Sequence, residues 1–191
     1  HRGDPGAGRE TDVNETTYHE ALQSRGRALL AYRAKTAACL WDAQAMLALE
    51  ADATQVDDHI HRCIPDAMGP FGTLGAMMLV GSWQQHLSAP ALARLKQLLT
   101  AETNHRGNTE NHWLIHYATS LVAVETWPDV AVWWNGQPRE VVHAEASRWI
   151  LGMIDRTARV GHYEYDSPQY HICHALCMIL LADHAQDPHL R

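Results

Sequence analysis

Pro138 to Ala185 reads PREVVHAEASRWILGMIDRTARVGHYEYDSPQYHICHALCMILLADHA, and this stretch decides the fold class. Val141, Val142, Ala146, Trp149, Ile150 and Met153 recur at helical spacing, so the first part is a long amphipathic helix over 138–159. Gly161 ends it, because only glycine enters the left-handed region without cost. His162 to Gln169 is then a polar loop. Ser167-Pro168 places proline at the first position of a second helix, over 170–185.

The same period recurs upstream. Helices are predicted over 16–33, with Tyr18, Leu22, Leu29 and Leu30, and over 36–50, with Leu40, Trp41, Met46 and Leu49. Asp52 or Thr54 caps a short helix that reaches Cys63 and stops at Pro65. Residues 71–87 form a strongly apolar helix, and Ser88 with Pro90 opens the next, carrying Leu92, Leu95, Leu98 and Leu99. After the polar loop 104–108, a helix runs from Asn111 to Thr126 and ends before Trp127-Pro128. Asn135-Gly136 is a turn, and only Val130 to Trp134 has β-like character. Seven or eight helices on short loops make an all-α chain. It is either a closed bundle or a run of antiparallel hairpins from an α/α barrel. Residues 1–13 hold a Gly/Pro-rich segment expected to be a flexible tail, and residues 14–191 are expected to form one helical domain.

Composition narrows the function. The 191 residues carry 15 Lys plus Arg against 22 Asp plus Glu, a formal net charge of -7. An acidic chain without a basic run argues against nucleic-acid binding. No apolar run approaches the ~18 residues of a membrane span. Four cysteines make no disulfide scaffold, and Cys173 and Cys177, one turn apart, share a helix face. Seven Trp, six Tyr and 14 His against a single Phe favour side chains with a flat apolar body and a polar tip. Such residues suit a groove for a polar, flat-faced ligand such as a sugar.

Two stretches concentrate that chemistry. Gly107 to Tyr117 (GNTENHWLIHY) gathers Asn108, Glu110, Asn111, His112, Trp113, His116 and Tyr117 at one helix start. His112 and His116 lie at i and i+4, on one face. The asparagines sit where free backbone N–H groups and the positive dipole end favour an anion, such as a carboxylate. A capped helix with two packed histidines is the plainer alternative. Arg156 to His174 (RTARVGHYEYDSPQYHICH) brings together Arg156, Arg159, His162, Tyr163, Glu164, Tyr165, Asp166, Tyr170, His171 and His174. A cation beside a phenol lowers its pKa from ~10 and makes tyrosine a possible general base. A surface loop with aromatic anchors is the alternative here.

Other chemistries are weaker. His171, Cys173, His174 and Cys177 lie within two turns, and His112 with His116 is a possible chelating pair, but adjacent Cys173 and His174 point about 100° apart. There is no CxxC, HExxH, GxSxG, Walker or dinucleotide motif. No cofactor is expected, although a helper divalent metal stays open. Glu110, Glu164 and Asp166 are candidate carboxylates for glycoside hydrolysis.

Taken together, Asn111-His112-Trp113 at a helix start and Tyr170-His171 followed by Ala175-Leu176 resemble motifs of alginate lyases and related uronate polysaccharide lyases with an α/α toroid fold. Glu164 to Tyr170 (EYDSPQY) is similar to a loop of heparinase-like toroid proteins. The resemblance covers 107–191 and leaves the first half with compatible helices alone. It implies β-elimination on an acidic, alginate-like or glucuronan-like polysaccharide, carried out by a periplasmic or secreted enzyme. Asn111 and His112 would neutralise the C5 carboxylate, and Tyr170, with Tyr165 and Tyr163 as rivals, would act as base and acid. Glu110, Trp113, His116, Arg159, Tyr163, Glu164 and His171 would bind substrate. The arginine that precedes the tyrosine in some of these lyases has no match at its place, where Tyr163 stands. At 191 residues the chain is short for a closed ring of hairpins, so an incomplete toroid from a longer polypeptide is expected. The rival functions are a toroid glycoside hydrolase using Glu and Asp, or a non-catalytic glycan-binding domain.

Overall fold

Two helices are apolar around nearly their whole circumference, and such helices must be surrounded. They are α4 (Pro70–Trp83), with Leu74 to Val80 all buried, and α6 (Glu110–Thr126), with Leu114, Ile115, Ala118 and Leu121 to Val124 buried. In the computed structural model they pack on each other. The structure describes residues 15–66, 69–102, 105–164 and 167–191. The tail expected at residues 1–13, and also Tyr165 and Asp166, lie outside the described residues.

The order is α1 (Glu15–Thr36), α2 (Asp42–Ala48), α3 (Ala53–Cys63), α4, α5 (Ala89–Thr100), α6, α7 (Arg139–Val160) and α8 (Pro168–His184). Around α4 and α6 pack α2, α5, α7 and α8, while α3 packs on α2 and α5, and the largely exposed α1 packs mainly on α2. Short 3₁₀ turns follow α3 and α4. The all-α expectation holds among the described residues, where the β-like run contributes only an isolated bridge between Val132 and Pro138. Caps read from the sequence are present. Asp52 accepts from the Thr54 and Gln55 amides, and Ser88 accepts from Ala91. Gly161 ends α7 at φ +76°.

One boundary differs from expectation. The helix predicted over 36–50 begins only at Asp42. Ala37 is left-handed at φ 42°, and the buried Asp42 carboxylate takes the amides of Ala38 (2.7 Å) and Cys39 (3.0 Å). A side chain that bonds nearby amides competes with the helix ladder and turns the chain. Arg33 meets the same carboxylate at 2.6 Å, which ties α1 to α2.

α7 and α8 both pack on α6, which is therefore the axle of the second half. Buried Thr119 and Ser120 satisfy their hydroxyls on α6 carbonyls one turn back, at 2.8 and 2.6 Å. At its C-terminal end, buried Glu125 accepts from His143 of α7 (3.2 Å) and from the Gln186 amide just after α8 (2.8 Å). One carboxylate thus fixes both flanking helices, which leaves the opposite, N-terminal end of α6 to form a site. No helix among the described residues is long and apolar enough to cross a membrane.

Candidate functional site

A cleft of about 920 Å³ opens between the N-terminal half of α6, one face of α7 and the loop after α7. That volume lies inside the range of ligand sites, roughly 300–1,000 Å³. α6 contributes Glu110, Trp113 and Tyr117, at i, i+3 and i+7 on one face. α7 contributes Glu145, Arg148, Trp149, Gly152 and Arg156, also one stripe. The loop adds Tyr163 and Glu164.

Aromatic surface dominates the walls. Tyr117 stacks on Trp149 (4.7 Å between centroids, 23° between planes) and donates from its hydroxyl to Glu145 at 3.1 Å. Trp113 donates from Nε1 to the Gly107 carbonyl at 3.1 Å and carries the Arg106 guanidinium 5.2 Å from its ring centre. A Cβ on Gly152 would meet no atom within 4 Å, so this residue leaves a bare floor between Arg148 and Arg156. Arg148 is exposed on the wall and has no ion-pair partner among the described residues.

The end of α6 is closed by an unusual cap. Thr109, at the N-cap position, makes no capping bond. Glu164 does this from the far loop, accepting from the Asn111 amide (2.9 Å) and from Asn111 Nδ2 (2.8 Å to each oxygen). A carboxylate on free N–H groups at a helix start is doubly favoured, by hydrogen bonding and by the dipole. The position expected to attract an anion does so, but the anion is the chain's own Glu164.

Glu110 forms the second anchor. It is nearly buried, is paired with Arg156, and accepts from the Tyr163 amide at 2.7 Å. Burial pushes its pKa up, but the Arg156 hydrogen bond, the Tyr163 amide and the Arg156 charge outweigh this and hold it below the usual carboxylate value. Arg156 also lies 5.2 Å from the Tyr163 ring centre and steadies that exposed ring at the cleft edge.

Behind Glu110 lies a histidine cluster. His162 stacks on His174 (4.4 Å, 24°), meets His171 edge-on at 5.1 Å, and has Nδ1 3.9 Å from Glu110. Burial lowers the His162 pKa first and His174 lowers it further, against the opposing pull of Glu110. Glu110, His162 and His174 present ligand atoms all within 4.8 Å of one another.

The sequence-expected residues therefore divide. Glu110, Trp113, Tyr163 and Glu164 line the cleft. Asn111 is buried behind it, engaged with Glu164. His112 packs edge-on against Phe71 at the start of α4. His116 packs against Trp134 and Tyr117, and burial, aided by Arg106, drops its pKa to about 4. Neither histidine lines the cleft. Tyr170 sits half-exposed in the first turn of α8 and does not line the cleft either, whereas His171 points at His162. Arg159 pairs with Asp155 on the exposed face of α7, at 2.7 Å. Tyr165 lies outside the described residues.

Cleft residues that sequence reasoning did not single out are Thr109, Glu145, Arg148 and Gly152, and Trp149 and Met153 count there only as apolar marks of the helix. On α7 the signal was readable: 145, 148, 149, 152 and 156 form one stripe that mixes charge, indole and glycine where a core stripe would be aliphatic. The two cysteines read along α8 as metal candidates differ in burial: Cys177 is buried in the core and Cys173 is half-buried. No protein-family model matches the chain, and no curated protein or solved structure matches it.

Proposed function

We propose that the chain is a uronate polysaccharide lyase of α/α toroid architecture, acting in the periplasm or outside the cell on an alginate-like or glucuronan-like polymer bound in the α6–α7 cleft. The observation that carries this reading is the wall of α7. Arg148 and Arg156 stand two turns, about 12 Å, apart on either side of Gly152. Trp113 and Trp149 lie beside them. Indoles offer faces to sugar rings, and guanidinium groups offer paired donors to carboxylates. The net negative charge of the chain is no obstacle, because the local field of the cleft decides what enters.

In this reading Arg148, which has no ion-pair partner among the described residues, holds a uronate carboxylate and makes the C5 proton more acidic, while Arg156 stays paired with Glu110 and fixes the cleft edge. Tyr163, the described tyrosine at the cleft edge, removes it. The C5–H electrons form the C4=C5 double bond, the C4–O4 bond breaks, and a proton passes to the leaving O4. Asn111 acts as a positioning residue that fixes the Tyr163–Glu164 loop through Glu164, in place of the direct carboxylate role implied by the resemblance. A hydrolase is less well supported. Glu110 and Glu164 are committed to Arg156 and Asn111, and the low pKa of Glu110 is the wrong direction for a general acid.

Incubation with alginate, glucuronan and heparin-like polymers tests the reading. Elimination gives an unsaturated product that absorbs in the ultraviolet. Tyr163→Phe is expected to abolish that signal while Tyr170→Phe keeps it. New reducing ends without the absorbance would mark a hydrolase, and binding without turnover a glycan-binding domain.

A further inference from the structure

We propose that Glu110, His162 and His174 form a binding site for a zinc-class divalent transition-metal ion, with three protein ligands and one position left for water. The three residues come from three different elements: the first turn of α6, the loop after α7, and α8. Their ligand atoms already lie within 4.8 Å of one another. Around a tetrahedral ion with bonds of about 2.0–2.1 Å, ligand atoms are about 3.3 Å apart. The remaining closure of about 1.5 Å is within reach of side-chain rotation.

Two further observations point the same way. His174 Nδ1 lies 3.0 Å from the Tyr170 carbonyl. A carbonyl only accepts, so Nδ1 carries the proton and the Nε2 lone pair is left to bind. Histidines that ligate metals usually donate their second nitrogen to a carbonyl or carboxylate in this way. Glu110 is fixed similarly. Arg156 holds Oε1 while Oε2, the oxygen facing His162, accepts the Tyr163 amide and lies 3.9 Å from His162 Nδ1. Two imidazoles and one carboxylate suit zinc and its neighbours, whereas calcium and magnesium prefer sites made wholly of oxygen. The ion would stitch the Tyr163–Glu164 loop to α6 and α8. It does not depend on the reaction proposed above.

Titration of the full chain, first treated with chelator, with zinc chloride in competition with a chromophoric chelator tests this. One tight equivalent is expected. Cobalt(II) in its place should give the visible bands of a tetrahedral nitrogen and oxygen site, without the near-ultraviolet band of a thiolate ligand. His162→Gln, His174→Gln and Glu110→Gln should each weaken zinc binding on the order of 100-fold or more, and Arg156→Met by about 10–100-fold. Cys173→Ser should leave binding unchanged. Far-UV circular dichroism checks each variant's fold, and the wild-type cobalt spectrum decides even if one variant unfolds. No stoichiometric uptake, a thiolate band, or full affinity in the His162→Gln/His174→Gln double variant would overturn the site.

Discussion

The first two turns of α6 carry two sets of aromatic and polar residues that differ in what surrounds them. Glu110, Trp113 and Tyr117 face α7 across open space. His112 and His116 lie about 100° around the same helix and pack against Phe71 and Trp134. Helical spacing put each set on one face, but the neighbouring helix decided which face became a cleft. The lesson concerns the histidines. A pair at i and i+4 looks like a site in sequence, yet here burial leaves His116 neutral and packed.

The largest test of this contrast is Gly107→Ala, on the histidine side. Gly107 sits at φ +70°, and a Cβ there would lie 2.5 Å from His112 Nδ1 and 2.7 Å from His112 Cβ. Left-handed strain and the clash together should cost about 2–4 kcal/mol in urea unfolding. The Trp113 face would feel it indirectly, since Gly107 accepts from the Trp113 indole.

Next is the pH dependence of His116. Its folded pKa of about 4 lies below the ordinary histidine value of 6.5. Between these values the unfolded chain binds a proton that the folded chain refuses, so stability is full above pH 6.5 and falls toward pH 4. The loss assigned to His116 should be about 2–3 kcal/mol. His116→Phe should flatten that part of the profile, and an unchanged slope in the variant would place His116 in solvent.

The smallest effect is expected at Arg159. Its pair with Asp155 is exposed and lies one turn along α7. Arg159→Ala should change stability by no more than about 0.5 kcal/mol and leave the proposed glycan cleavage intact. A large loss of that proposed activity would move the proposed substrate path from the α6–α7 cleft to the outer face of α7.

The sequence by itself determined the helices and most of their ends. Periodicity and local caps such as Asp52, Ser88 and Gly161 act within a few residues, so they can be read one segment at a time. It also located the two stretches that meet, because Trp, Tyr, His and carboxylates crowd there beyond what a core needs. The early start expected for α2 failed for a local reason with a tertiary result: Asp42 took amides from the chain instead of leaving them to the helix. Tertiary structure alone decided the rest. Glu164 reaches Asn111 across 53 residues, and Arg156 reaches Glu110 across 46. No spacing rule on one helix encodes those distances. They exist because α6 is apolar over most of its circumference and draws α7 and α8 onto itself, which carries the intervening loop to the end of α6 and sets its charges against one another.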